Sequence, residues 1–253
     1  MLVRRELQGK VERMRTLPLL LALGLLPPAA GCMGDPFVAP RSAVRSTAAD
    51  PKGRRKQALD SIRKLKGEVQ VDADDADKAV VRIDLHGISS AAGLLNALGP
   101  LPKLSELNLF GTGFTDADVE SLRRLTSLQT LNLSATRITD AGLTYLPSLP
   151  NLRKLYLNDT RVTDAGLRYL RGSANLTDLA LFRTAVTDGG VAQLVGLTKL
   201  QKLTLGGSTI TDRSLLTVRR LTDLRELYVY TTRVTPNGVE DLKLALPQLK
   251  IFH

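Results

Sequence analysis

The chain repeats itself every 24 residues. Leu104, Leu128, Leu152, Leu176, Leu200 and Leu224 form one row, and Leu107, Leu131, Leu155, Leu179, Leu203 and Leu227 form a second in the same register. A third runs through Leu109, Leu133, Leu157, Leu181, Leu205 and Val229, and further apolar rows start at Phe114, Val119 and Leu122. The register extends backward through Val80, Ile83, Leu85, Leu95 and Leu98. Forward, it slips by one residue, to Leu249 and Phe252. A single unit of this size cannot bury its apolar side, whereas a stack of units encloses one continuous core. Aromatic residues make up only 4% of the chain and Trp is absent, so the core of the stack is aliphatic.

Each unit reads L-x-x-L-x-L-x-x-T-x-[I/V]-T-D-x-G-L-x-x-L, which resembles the leucine-rich repeat family in its 24-residue, Thr-type variant. The resemblance covers roughly residues 80–253. It implies an α/β repeat fold: a solenoid with a parallel β-sheet on its concave side and short helices on its convex side. The residues read the same way, since L-x-L alternates as a strand does and G-L-x-x-L has helical spacing. Most units place Thr-Asp before the helix, as in Thr139-Asp140 and Thr163-Asp164, while the last has Thr235-Pro236. Proline favours the first helical position, so alignment makes each Thr an N-cap and each Asp the residue whose charge meets the helix dipole. Capping accounts for the Asp column without a calcium ladder. The hydroxyls at 112, 136, 160, 184, 208 and 232 are expected to satisfy loop backbone groups.

The net charge of +10 belongs to the N-terminal quarter: residues 1–66 carry 14 Lys/Arg against 5 Asp/Glu, and residues 67–253 carry 21 against 20. A nearly neutral repeat domain gives no reason to expect nucleic acid as a partner. Arg4, Arg5, Lys10, Arg13 and Arg15 precede the apolar run Leu17–Leu26, which is about half of what a membrane-crossing helix needs. Basic, then apolar, then small residues is the order of a secretory signal, and Met14–Cys32 alone would suffice, which makes Met14 an alternative start. Ala29-Ala30-Gly31-Cys32 resembles the bacterial lipobox, with Ala29 in place of the usual Leu. The resemblance implies a signal peptide over 1–31 and lipidation of Cys32, the chain's one cysteine. With Met33 where a retention Asp would stand, it favours sorting to the outer membrane. Residues 32–54 read as a flexible tether rich in Pro, Ser and Ala, and 55–79 as an N-terminal cap. In the cap, Ala58, Leu59, Ile62 and Leu65 mark a helix face, Gly67 stops the helix, and Val69 and Val71 alternate as a strand.

What the scaffold leaves unexplained lies on the outward side of the strands. Strand alternation turns Phe110, Tyr156, Phe182, Tyr228 and Tyr230 away from the leucines, together with Asn158. Exposed aromatics among mixed charges are the composition of an interface, so these six are the expected partner-binding residues. The competing explanation is that the rings stack on one another and only stabilise the sheet. Gly206-Gly207 is expected to leave a dip between Phe182 and the Tyr228–Tyr230 pair. No catalytic, cofactor or metal site is expected. Asp84 and His86 share a face but lack a nucleophile turn, and the acidic run Asp72–Asp77 lacks the Gly and Glu of a calcium loop. The reading that follows is a non-catalytic module, anchored by lipid to the bacterial cell envelope. It binds a protein, ahead of a glycan, on its concave sheet. A structural envelope role is the alternative. T-D-x-G-L repeats also resemble those of F-box substrate receptors, but residues of a signal and tether occupy the place of an F-box.

Overall fold

The computed structural model describes residues 51–75, 79–89, 91–99 and 101–253, which form part of one compact unit, Thr47–His253. The expected signal segment, Cys32 and the expected tether up to residue 50 lie outside the described residues. Nine strands form one sheet in chain order: β1 Glu68–Val71, β2 Val80–Asp84, β3 Glu106–Asn108, β4 Thr130–Asn132, β5 Lys154–Tyr156, β6 Asp178–Ala180, β7 Lys202–Thr204, β8 Glu226–Tyr228 and β9 Lys250–Phe252. β1 runs antiparallel to β2, and every later pair is parallel and offset by one repeat, as in Leu107↔Leu131↔Leu155. The leucine rows are buried in a single core between this sheet and the convex elements. This is the α/β leucine-rich-repeat solenoid that the 24-residue period implies.

The convex side begins with α2, Ala91–Leu98, and continues as 3-10 turns at Asp116–Leu122 and Gly142–Ser148. It then passes into short α-helices: α3 Asp164–Leu167, α4 Asp188–Ala192, α5 Asp212–Val218 and α6 Pro236–Ala245. The second 3-10 turn carries Pro147, whose missing N–H cannot continue an α-helix.

The N-terminal cap differs from expectation at its edges. Helix α1 spans Pro51–Lys64, so its first turn takes residues 51–54 from the tether; proline suits a first helical position. Ala58 and Ile62 are buried, but Leu65 is 48% exposed, because the helix has ended and the backbone turns at Lys66 with φ 65°. A Cβ on Gly67 would lie 2.7 Å from Ile62 Cγ2 and 3.0 Å from the Asp84 carbonyl, which explains the glycine. Val71 sits at an irregularity in the β1–β2 register and faces solvent.

The expected slip of register at the C-terminus is confined to the loop. Leu249 is buried one position late, but β9 pairs Leu227 with Ile251 and Tyr228 with Phe252, in the unshifted register. Parallel strands bond through evenly spaced backbone groups, here Val229 N to the Phe252 carbonyl at 2.8 Å and Lys250 N to the Arg225 carbonyl at 2.9 Å. The loop absorbs the extra residue. Ile251 therefore takes the core row, and Phe252 turns outward.

The Thr-Asp pair does more than cap. Thr163, Thr187 and Thr211 accept from the backbone N–H two residues on, and Thr235 from that of Gly238, as N-caps do. Each Asp also reaches into the next repeat. Asp116 accepts from Thr139, Asp140 from Thr163, Asp164 from Thr187, Asp188 from Thr211 and Asp212 from Thr235. In every case both the threonine N–H and its hydroxyl donate, at 2.5–2.8 Å. The column stitches neighbouring repeats, and its oxygens are spent on backbone and hydroxyl groups rather than on a cation. The first unit has Ala92 where the preceding Asp would stand, and there Asp118 supplies the carboxylate within its own repeat, bonding Thr115 N and Oγ1. The inner hydroxyl row behaves as expected: Thr112, Thr136, Thr160, Thr184, Ser208 and Thr232 each donate to the carbonyl three residues back.

Candidate functional site

Every strand from β3 to β8 buries its middle residue and turns its two neighbours toward the concave side, and β9 does so with Ile251 only partly buried. At the N-terminal end this surface is polar. Asp84 accepts from His86 N at 3.0 Å and from Asn108 Nδ2 at 3.0 and 3.1 Å, and it lies 2.9 Å from His86 Nδ1. Burial works to raise the Asp84 pKa, but these donors outweigh it and hold the carboxyl below its ordinary range. Arg82 pairs with Glu106 at 3.3 Å. Phe110 stands here 47% exposed, its N–H donating to Asn108 Oδ1.

The C-terminal half is aromatic. Tyr228 stacks on Phe252 with centroids 4.5 Å apart and planes 9° from parallel; Tyr228 meets Tyr230 edge-on at 6.5 Å, and Tyr230 lies 5.5 Å from Phe182. Four rings thus run together across β6 to β9. Three of the six expected contact residues, Phe182, Tyr228 and Tyr230, are gathered there, and Phe252 is the member the sequence reading missed. It lies 24 residues after Tyr228, so counting strictly from that tyrosine would have found it. Tyr230 and Phe252 remain 39% and 43% exposed, so mutual stacking leaves ring surface open to solvent.

The expected dip at Gly206-Gly207 is filled. A Cβ on Gly206 would meet Tyr230 Cε2 at 2.9 Å and the Tyr230 carbonyl at 3.0 Å, and one on Gly207 would meet Arg183 Cγ at 2.7 Å. Glycine at 206 leaves room for the edge of the Tyr230 ring, which also meets Phe182. The residue after each outward loop position, from Gly87 and Gly111 through Ala135, Asp159, Arg183 and Gly207 to Thr231, has positive φ.

Charges flank the rings. Lys202 Nζ lies 3.0 Å from Glu226 Oε2 and 4.9 Å from the Tyr228 centroid, and the Tyr228 hydroxyl donates to Glu226 at 2.9 Å. The Glu226 contact raises the Lys202 pKa, and Lys202 lowers that of Glu226, so both stay ionised. Tyr156 is half-buried one strand before Phe182; burial and then the Asp178 charge push its phenol above its ordinary pKa. Asn158 spends its side-chain oxygen on Phe182 N at 2.8 Å, which makes it a positioning residue for the Phe182 loop.

Known proteins resemble this chain in fold. A family model described as leucine-rich repeats (2 copies) matches residues 126–169. No curated protein sequence matches the chain. Internalin C2 from Listeria monocytogenes superposes with a TM-score of 0.53 at 24% identity, covering 68% of this chain and 80% of that one. A leucine-rich-repeat protein of Leptospira interrogans superposes at 0.48 with 24% identity over 63% of this chain, which spans only 39% of that protein's length. This chain is a leucine-rich-repeat solenoid whose concave sheet divides into a polar N-terminal half and an aromatic C-terminal half.

Proposed function

We propose that the chain is a non-catalytic binding module, lipid-anchored through Cys32 in a bacterial cell envelope, on the outer-membrane side of sorting. It recognises a protein partner with the aromatic half of its concave sheet. The observation that carries the reading is the four-ring group Phe182, Tyr230, Tyr228 and Phe252 on the solvent side of a sheet. A core needs no aromatics there, and aromatic side chains clustered on an open surface are where interfaces concentrate their energy. Tyr156 and Asn158 extend the surface across β5, and Phe110 offers a second contact near the polar half.

Cross-linked capture from native envelopes tests it, with wild type set against Phe182→Ala/Tyr228→Ala/Tyr230→Ala of unchanged circular dichroism. A protein recovered with wild type alone supports the reading. Equal recovery by both chains, or none by either, reduces the rings to sheet packing and leaves the structural envelope role. The anchor has its own test: Cys32→Ser should abolish acylation and membrane partitioning, and an unaltered mass and distribution would remove Cys32 from the account.

A further inference from the structure

The convex surface is unlike the concave one. On its outward line the repeats place residues at helical i, i+3 and i+4 positions: Arg168 and Arg171, then Val195, then Leu216, Arg219 and Arg220, then Lys243 and Leu244. Arg171, Val195, Arg219 and Lys243 are 24 residues apart, so they form one column, and Arg220 and Leu244 stack in the column beside it. Leu216 is 64% exposed, Leu244 82% and Val195 37%, the only large aliphatics so exposed among the described residues outside the cap. None of these five cations forms an ion pair among the described residues; on the concave side and its rim Arg82, Arg183 and Lys202 are matched to carboxylates, while Lys154 and Lys250 are not. Arg168 instead lies against the Tyr169 ring, 4.8 Å from its centroid, and Arg171 donates to Gln193. From Arg168 onward Glu240 is the one carboxylate in these columns; further back they hold Glu120, which pairs with Arg123 at 3.1 Å.

We infer that this convex line is a membrane-docking surface for anionic phospholipid headgroups. Unpaired cations meet the phosphates while Leu216, Leu244 and Val195 enter the headgroup layer, the combination by which peripheral surfaces hold an interface. A fluid lipid surface needs no fixed partner geometry, which suits cations spaced by a repeat and aliphatics that stand singly rather than around a pocket. The inference rests on the anchored reading for where such a surface is met. Docked this way, the solenoid turns its aromatic concave half away from the bilayer.

The chain has no Trp, so a single substitution reports its own surroundings. In full-length protein carrying Cys32→Ser, Leu216→Trp should shift its emission to the blue on vesicles of phosphatidylglycerol, and not on phosphatidylcholine alone. Added salt should reverse the shift. Asn132→Trp, on the concave sheet, should not shift. Adding Arg171→Glu/Arg219→Glu/Arg220→Glu to the Leu216→Trp chain should weaken the vesicle titration about tenfold or more with the circular dichroism unchanged. A silent Leu216→Trp, an equal shift from Asn132→Trp, or an unaltered titration after charge reversal would overturn the inference. A shift with duplex DNA in place of vesicles would assign the face to nucleic acid. Because every chain here lacks the acylated cysteine, these outcomes do not depend on whether Cys32 is lipidated in cells.

Discussion

Single atoms explain why particular residues recur. The Gly of T-D-x-G-L is required by the neighbouring repeat: a Cβ on Gly142, Gly166, Gly190 or Gly238 would fall 2.2–2.6 Å from an oxygen of the preceding Asp. Among the units preceded by such an Asp, one escapes the rule. Ser214 stands in the glycine position and donates its hydroxyl to Asp188 Oδ1. Gly190→Ser should therefore be tolerated better than the smaller Gly190→Ala, which should cost about 1–3 kcal/mol in urea unfolding by disrupting the Asp164 bonds; the reverse ranking would remove the steric account. The positive-φ column offers a second test. Thr231 is β-branched at φ 55°, where Gly87, Gly111 and Gly207 stand in other repeats. Thr231→Gly should raise the free energy of unfolding by about 1 kcal/mol, the left-handed strain relieved exceeding the entropy added to the unfolded chain.

Elements are held by bonds that cross from one repeat to the next. Burial tends to raise the Asp188 pKa, but the Ser214 hydroxyl, the Thr211 N–H and hydroxyl, and Arg213 outweigh it and leave the carboxyl below its ordinary value. A carboxyl depressed in the folded state stabilises at pH above its unfolded pKa of about 4, and that contribution is lost as the pH falls through the folded value. The thermal midpoint of wild type should thus drop on acidification below about pH 4, and the drop should be shallower in Asp188→Asn, whose midpoint at neutral pH starts lower. Parallel pH profiles for the two chains would show that Asp188 does not couple α4 to α5.

The whole molecule has one apolar core threaded through all its units, so damage at one repeat reaches its neighbours. Leu155 is fully buried, and Leu155→Asp places an unpaired charge there. It should cost more than about 3 kcal/mol and melt several repeats together, and an unaltered cooperative melt would contradict a shared core. Much of this scale is legible in one dimension. The leucine rows, the strand and helix in each unit, the threonine caps and the outward side of Phe182, Tyr228 and Tyr230 follow from period and alternation, because every unit meets the same environment and local pattern suffices. Within the repeats, the gaps in legibility share one cause: they depend on ångström distances between atoms about 24 residues apart. The reach of each Asp into the next repeat, the glycine that makes room for it and the Tyr230 ring edge against Gly206 are invisible to spacing. Phe252 joins the rings because hydrogen bonding between parallel strands restores a register that the leucine count had lost. The period by itself determined that the chain stacks into a solenoid with an aliphatic core. Only the tertiary structure decided how adjoining turns are stitched and which rings meet, since both are settled by contacts between repeats rather than within them.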